Sequence, residues 1–178
     1  IYSGREKENL KSNKKKKKRK EYVSFMINKA FEYYENGKDI DIVTGNMEMD
    51  AIMLLKEFEK KYPDFVNSLK NRLKSWGGNS AGKRLGNMDW NGFVKPDPFF
   101  PMTIGNYLEK DFDKIWLDDN NELLKKLREF PRNIKGKCSS CKYIDICNGG
   151  SRSRAYAISG DLWDEDPSCY LTLEEIKG

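Results

Sequence analysis

The chain of 178 residues contains no histidine. This absence excludes the Ser-His-Asp and Cys-His catalytic arrangements, metal sites built on two histidines, and Cys₂His₂ zinc fingers. Any catalysis would have to use carboxylates, lysines, tyrosines, thiolates or a bound cofactor. The sequence also has no run of ~18 apolar residues, so neither a transmembrane helix nor a signal peptide is predicted. We therefore expect a soluble, cytoplasmic protein without a membrane partner.

Negative and positive charges are unevenly distributed. The net charge is +5, but residues 1–20 carry +8 and the rest of the chain carries −3. The basic signal is therefore one local run, Lys14 to Lys20. Such a run can attract nucleic acid or an anionic membrane, but it more often forms the solvated start of a helix. No aromatic residue interrupts the run, which makes a nucleic-acid partner less favoured.

The first 76 residues predict helices and one strand. Helical spacing is found from Tyr22 to Gly37, with an apolar stripe that includes Phe25 and Tyr34, and again after Gly45 and after Pro63. Residues 39–44 alternate and predict a short strand. One strand cannot form a sheet, so partner strands are expected from an upstream segment or from another chain. The expected fold class is α/β.

Glycine-rich sequence follows Trp76 and predicts a second unit. Asn91-Gly92 between apolar segments indicates a β-hairpin whose two turn residues have positive φ. Short helices are expected at Asp111–Leu117 and Asn121–Phe130. We place a domain boundary between residues 1–76 and 77–178.

Four cysteines lie close to one another in the second unit. Cys138, Cys141, Cys147 and Cys169 have the spacing C-x2-C-x5-C-x21-C. Four converging thiolates fit either a tetrahedral zinc site or a 4Fe–4S cluster. Two disulfides fit poorly in a protein expected in the cytoplasm. The spacing alone leaves zinc and iron–sulfur open.

The residues around these cysteines resemble a known family. The segment from Cys147 to Ala157, together with Gly160-Asp161 and Asp166 to Cys169, is similar to the end of a SPASM domain. This is the auxiliary iron–sulfur domain at the C-terminus of many radical S-adenosylmethionine enzymes. The resemblance implies that Cys138, Cys141, Cys147 and Cys169 together bind one 4Fe–4S cluster. Ser151 and Asp97 stand where the family has ligands of a second auxiliary cluster, so only one is expected here.

Within that superfamily the sequence resembles the branch that acts on tetrapyrroles, in heme d1 formation or in the sirohaem-derived heme pathway. The similar features are Tyr2-Ser3-Gly4-Arg5, Thr44-Gly45-Asn46, Gly77-Gly78-Asn79, and Gly149-Gly150-Ser151-Arg152 with Arg154. The resemblance implies that residues 1–76 are the last elements of a partial TIM-type barrel and residues 77–178 a SPASM-like domain. The implied function is the C-terminal part of a radical oxidoreductase, in which the auxiliary cluster transfers electrons or supports the structure.

The family's catalytic motif, C-x3-C-x2-C, does not occur in this sequence. S-adenosylmethionine and a second 4Fe–4S cluster would therefore be bound only by a missing core, encoded upstream in the same chain or as a separate subunit. We expect no catalytic residue here and no activity of the chain alone, which also begins at Ile1 and is expected to be part of a longer protein. An electron donor is a further expected partner.

The substrate itself could contact two arginines. Arg152 and Arg154 lie beside the cysteines and could bind the carboxylates of a tetrapyrrole, because a guanidinium binds a carboxylate with two hydrogen bonds. They could equally form salt bridges with Asp161 or Asp164. Two other functions stay open: a fragment of a peptide-modifying SPASM maturase, and a Cys₄ zinc ribbon that binds nucleic acid through residues 14–20.

Overall fold

The computed structural model describes residues 13–44 and 47–177. The α-helices are α1 (Asn13–Glu35), α2 (Glu48–Lys61), α3 (Val66–Trp76), α4 (Phe112–Trp116), α5 (Glu122–Arg128), α6 (Ile144–Cys147), α7 (Arg152–Ser159) and α8 (Leu173–Ile176). Two 3₁₀ helices span Pro63–Phe65 and Gly136–Ser140. The strands β1 (Asn87–Met88), β2 (Phe93–Lys95) and β3 (Gly105–Asn106) form an antiparallel sheet in the order β1-β2-β3. Tyr2 to Arg5 and Gly45-Asn46, two of the sequence features noted above, lie outside the described residues.

The fold is thus mixed, with many helices and a small sheet, which agrees with the expected class at its coarsest level. The three predicted N-terminal helices are confirmed, but α1 begins well before Tyr22 and includes the lysine run. The apolar stripe predicted for α1 is wrong in detail. Val23, Ile27 and Phe31 are buried, whereas the predicted Phe25 and Tyr34 are 61% and 80% exposed. Because the three buried residues are each four positions apart, they lie on one face of α1.

The strand predicted at residues 39–44 is also wrong, because no strand is found there. A strand is defined by its hydrogen bonds to a neighbour, and the described part of the chain has its three strands elsewhere. The alternating pattern of residues 39–44 therefore predicted a strand in a segment that has no pairing partner among the described residues.

The predicted hairpin is present, with a different turn. β1 and β2 pair with Met88 opposite Val94, and Asp89 to Gly92 connect them. Gly92 has φ +81°, but Asn91 does not have positive φ. Instead the Asp89 carboxylate accepts hydrogen bonds from the backbone N–H groups of Asn91 and Phe93. This side-chain acceptor stabilises a four-residue loop and removes the need for a left-handed asparagine.

Two apolar clusters form the core, and the larger one joins both ends of the chain. It combines the buried faces of α1 and α2 with Ile146 of α6, the segment Cys169–Leu171, and Ile176. α6 packs against α2 and α3. The smaller cluster contains Ala81, Phe100, Leu127 and Leu162. Residues on both sides of position 76 thus share one core, and the domain boundary drawn there stays a prediction.

The described helices include none long and apolar enough to cross a lipid bilayer.

A test of the smaller cluster is the substitution Leu127→Ala. Leu127 is fully buried, so the truncation removes apolar contacts and leaves a cavity. We expect a loss of about 2–5 kcal/mol in the free energy of unfolding, measured by urea denaturation. Leu117→Ala is the matched control because that leucine is 68% exposed, and its effect should stay within about 0.5 kcal/mol. Equal losses for the two variants would contradict the assignment of Leu127 to the core.

Candidate metal centre

Short elements present the four cysteines at their ends. Cys138 lies in the 3₁₀ helix Gly136–Ser140, and Cys141 follows directly, with its N–H donating to the Cys138 carbonyl at 3.2 Å. Cys147 is the last residue of α6. Cys169 follows a turn in which its N–H donates to the Asp166 carbonyl at 3.0 Å. All four are free thiols, so none of them forms a disulfide.

Lys137 connects the first pair of cysteines to the fourth cysteine. The Lys137 Nζ donates hydrogen bonds to the carbonyls of Cys169, at 3.3 Å, and Leu171, at 3.1 Å. The Lys137 backbone N–H donates to the Glu165 carboxylate at 2.8 Å. Because Lys137 immediately precedes Cys138, these contacts bring the Cys138 segment against the Cys169 segment.

The Asp166 carboxylate connects the third cysteine to the fourth. It accepts hydrogen bonds from the backbone N–H groups of Ser151 and Ser168, both at 2.9 Å. Arg154 donates to the same carboxylate through Nε, at 3.1 Å, and Nη2, at 2.7 Å. Asp166 is 2% exposed. The loop after Cys147 is therefore held against the turn before Cys169 by a buried network.

Glycines allow the backbone around Cys147 to pack closely. Gly78 follows α3 with φ +69°, and a Cβ there would overlap the Cys147 carbonyl. Gly150 has φ +70°, and a Cβ there would overlap the Asp166 carboxylate. Both positions need the conformational freedom and small size of glycine.

Burial raises the pKa of three of the thiols. It raises the pKa of Cys138 to about 12, and the negative charge of a Cys169 thiolate adds to this rise. Burial also raises the pKa of Cys147 well above its usual value, with the charges of Glu48 and Cys169 as the next causes. The pKa of Cys141 is raised by burial despite a hydrogen bond from the Tyr143 N–H. These thiols keep their protons at neutral pH until a metal displaces them.

Zinc and a 4Fe–4S cluster place different geometric demands on the four thiols. Within residues 13–44 and 47–177, no three His, Cys, Asp or Glu side chains are placed so that they could hold a metal ion together. Zinc holds its sulfurs at about 2.3 Å from one point. A 4Fe–4S cluster binds each thiolate at a different iron and spreads the four sulfurs further apart. Four thiol donors match the ligand number of both groups.

Buried donors near the cysteines also fit an anionic group. The Nη1 of Arg132 and the hydroxyl of Ser168 are buried without a hydrogen-bond partner in the described structure. Arg132 is 2% exposed and Arg152 is fully buried. Buried cations and unpaired donors are costly unless an acceptor or counter-charge is near. A thiolate-bound iron–sulfur cluster is negatively charged and would supply both.

The predicted substrate arginines have partners inside the chain. The guanidinium of Arg152 donates to four backbone carbonyls, those of Gly149, Gly150, Leu162 and Asp164. Arg154 binds Asp166 and also reaches Glu48 at 3.4 Å, and its side chain is 13% exposed. Neither Asp161 nor Asp164 provides the salt bridge considered from the sequence, since Asp161 pairs with Lys135. The contact of Arg152 and Arg154 with a tetrapyrrole stays a prediction.

The residues at the two departures from the family pattern have structural roles. Ser151 is the N-cap of α7, where its hydroxyl accepts from the Arg154 N–H. Asp97 accepts a hydrogen bond from the Phe99 N–H at 2.7 Å and from the Ser153 hydroxyl. Asp97 therefore caps a turn and joins it to α7.

Sequence reasoning missed Arg132 and the role of Asp166. Nothing in the sequence distinguishes Arg132 from the other basic residues, because its burial depends on segments far away in the chain. In the sequence, Asp166 stood out only as part of the segment that resembles the SPASM domain. A signal for it does exist, since Asp-Pro-Ser-Cys provides an Asx-type acceptor directly before the last cysteine.

Two relatives align over almost the whole chain. The chain is 34% identical over 178 residues to the pre-heme d1 synthase of Dinoroseobacter shibae, covering 98% of this chain and 44% of the relative. It is 31% identical over 180 residues to the Fe-coproporphyrin III synthase of Methanosarcina barkeri, covering 99% and 45%. A shorter match of 78 residues, 44% identical, is to the AdoMet-dependent heme synthase of the same organism, covering 44% of this chain and 21% of the relative.

The chain corresponds to the C-terminal region of radical S-adenosylmethionine enzymes of the SPASM type. This confirms the resemblance found at Cys147 to Cys169. The chain spans less than half the length of the two relatives that align along it. No family model matches the sequence, and no solved structure matches it.

The close approach at Gly78 can be tested with a matched pair of substitutions. Gly37 and Gly78 both have positive φ, but a Cβ at Gly37 would have no neighbour within 4 Å. Gly37→Ala should cost about 1–2 kcal/mol from backbone strain alone. Gly78→Ala should cost about 1–3 kcal/mol more, because the Cys147 carbonyl must move.

Urea denaturation measures both costs, and iron bound after anaerobic reconstitution should fall only in Gly78→Ala. Equal stability and equal iron content of the two variants would contradict a close contact between Gly78 and Cys147.

Proposed function

We propose that this chain is the part of a radical S-adenosylmethionine enzyme that holds one auxiliary 4Fe–4S cluster, and that the enzyme acts in the synthesis of heme or heme d1. The proposed ligands are Cys138, Cys141, Cys147 and Cys169. The observation that carries the proposal is the linkage of the three cysteine-bearing segments by Lys137 and Asp166, with all four thiols free. The relatives named for heme d1, Fe-coproporphyrin III and heme support the tetrapyrrole substrate.

The N-terminal helices are inferred to be the last elements of a partial TIM-type barrel. Tyr22, Phe25 and Tyr34 of α1 are more than half exposed, and so are Ile40 and Val43 in the segment that follows. Exposed large apolar side chains on this helix and the segment after it are available for packing against a further part of the protein. A radical S-adenosylmethionine core, on the same chain or a separate subunit, would cover them.

The auxiliary cluster supplies one-electron transfer when it is bound, and its four cysteines leave no iron open for substrate. The chain's own residues hold and shield it. Lys137 and Asp166 fix the spacing of the thiols, and Ile146 and Tyr170 bury the side of the site that faces the core. An external electron donor belongs to this proposal. So does a cytoplasmic location, where thiols are kept reduced.

Anaerobic reconstitution of the chain with iron and sulfide tests the proposed ligands. We expect four irons and four sulfides per chain, with the broad visible absorption of an iron–sulfur cluster. Cys138→Ser, Cys141→Ser, Cys147→Ser and Cys169→Ser should each lower the iron content at least several-fold, because a ligand is lost. Ser140→Ala is the control, since Ser140 is exposed between two of the ligands and should bind iron normally.

Zinc is the decisive alternative outcome. A purified chain with one zinc per molecule and no capacity for iron and sulfide would contradict the proposal and favour the zinc-ribbon interpretation. A Cys169→Ser variant with full cluster content would remove Cys169 from the ligand set.

A further inference from the structure

Two buried guanidinium groups lie beside the cysteines without a carboxylate partner. Arg132 and Arg152 have 2% and 0% of their surface exposed. In the described part of the chain neither forms an ion pair with Asp or Glu, while Arg154, close by, does. Charged groups that are this buried are normally paired. In the described residues neither guanidinium is therefore directly paired with a carboxylate, and the negative charges of Glu48 and Asp166 act on them only from a greater distance.

Hydrogen bonds place Arg132 between the segments that flank Cys147. Its backbone N–H donates to the Asn148 Oδ1 at 2.7 Å, and Asn148 directly follows Cys147. Its Nη2 donates to the Asn79 carbonyl at 3.3 Å, and Asn79 follows Gly78, which packs on the Cys147 carbonyl. The guanidinium is therefore held where the Cys147 loop meets the end of α3.

The two arginines differ in how their N–H groups are used. Arg152 donates from Nε, Nη1 and Nη2 to backbone carbonyls, which joins the loop after Cys147 to the segment before Asp166. Arg132 donates from Nε and Nη2 to the Leu127 carbonyl, but its Nη1 has no partner. Arg152 thus has a structural role, whereas Arg132 has a free donor and no directly paired carboxylate.

Arg132 remains a cation at neutral pH. Burial, followed by the charge of Arg152, lowers its pKa to about 10. The nearby groups whose negative charge acts in the opposite direction are Glu48, Glu129 and, once it is deprotonated, Cys147.

We propose that Arg132 is the buried counter-charge of the auxiliary cluster and raises its reduction potential. This inference rests on the cluster proposed above. Reduction adds one electron and makes the cluster more negative, so a fixed positive charge stabilises the reduced form more than the oxidised form. Net charge, hydrogen bonds and burial are the properties by which proteins set these potentials. Arg132 acts through the cluster's surroundings and is a positioning residue, not a catalytic one.

A redox titration of the reconstituted full chain tests the proposal. Arg132→Met removes the charge, and Arg132→Lys keeps it. Arg72→Met is the control, because Arg72 is exposed on α3 and its loss changes the net charge by the same amount. Visible absorption and the electron paramagnetic resonance signal of the reduced cluster report the ratio of oxidised to reduced protein.

At a fixed ambient potential we expect Arg132→Met to raise the ratio of oxidised to reduced cluster at least tenfold. For a one-electron couple this corresponds to a midpoint about 59 mV lower. Arg132→Lys should retain most of the wild-type potential, and Arg72→Met should match the wild type. A wild-type midpoint in Arg132→Met would overturn the proposal.

If Arg132→Met binds no cluster, the Arg132→Lys variant distinguishes between two causes. If Arg132→Lys still binds the cluster, the charge is required and the proposal is supported. If Arg132→Lys also binds none, the backbone contacts of the guanidinium are what matters and the proposal fails. A wild-type chain that binds no iron and sulfide would instead contradict the proposed function.

Discussion

The geometry of the cysteine site depends on the hydrogen bonds that the buried Asp166 carboxylate accepts. It accepts from the backbone N–H groups of Ser151 and Ser168 and from the guanidinium of Arg154. The 18 residues that separate Cys147 from Asp166 could follow many paths, and this carboxylate holds the loop after Cys147 against the turn before Cys169. Because the carboxylate itself is 2% exposed and the Arg154 side chain 13% exposed, this network is largely shielded from water, and its hydrogen bonds are stronger for that reason.

Charge balance gives the site its chemical character. Four thiols and two buried arginines occupy one region, and burial raises the pKa of three of these thiols while it lowers the pKa of both arginines. Deprotonating the buried thiols and burying the two guanidinium groups are each unfavourable alone. The two groups would become complementary in charge once a bound metal deprotonates the thiols. In the proposed cluster-bound state, metal binding, proton release and compensation of the arginine charges would therefore be coupled in one event. The coupling links the stability of this region to the group it binds.

The site is also built into the larger apolar core. Ile146, Cys169 and Tyr170 pack with the buried faces of α1 and α2, and the Tyr170 hydroxyl donates to Asp50 at 2.7 Å. The helices assigned to the barrel end and the cysteine-bearing loops are thus parts of one packed body. α2 and the Cys169 segment are thus in direct side-chain contact.

The sequence alone determined the three N-terminal helices and the hairpin and predicted the four cysteines as candidate ligands, because these depend on local spacing and on residue type. It also identified the protein family, since the residues around Cys147 and Cys169 form a specific pattern. The strand at residues 39–44 and the exposed face of α1 were predicted wrongly, because pairing and burial depend on neighbours that are distant in sequence. Only the tertiary structure revealed the role of Asp166, the close packing at Gly78 and the buried charge of Arg132. The charge of a side chain follows from its residue type, but its burial and its partners depend on which segments come into contact when the chain folds.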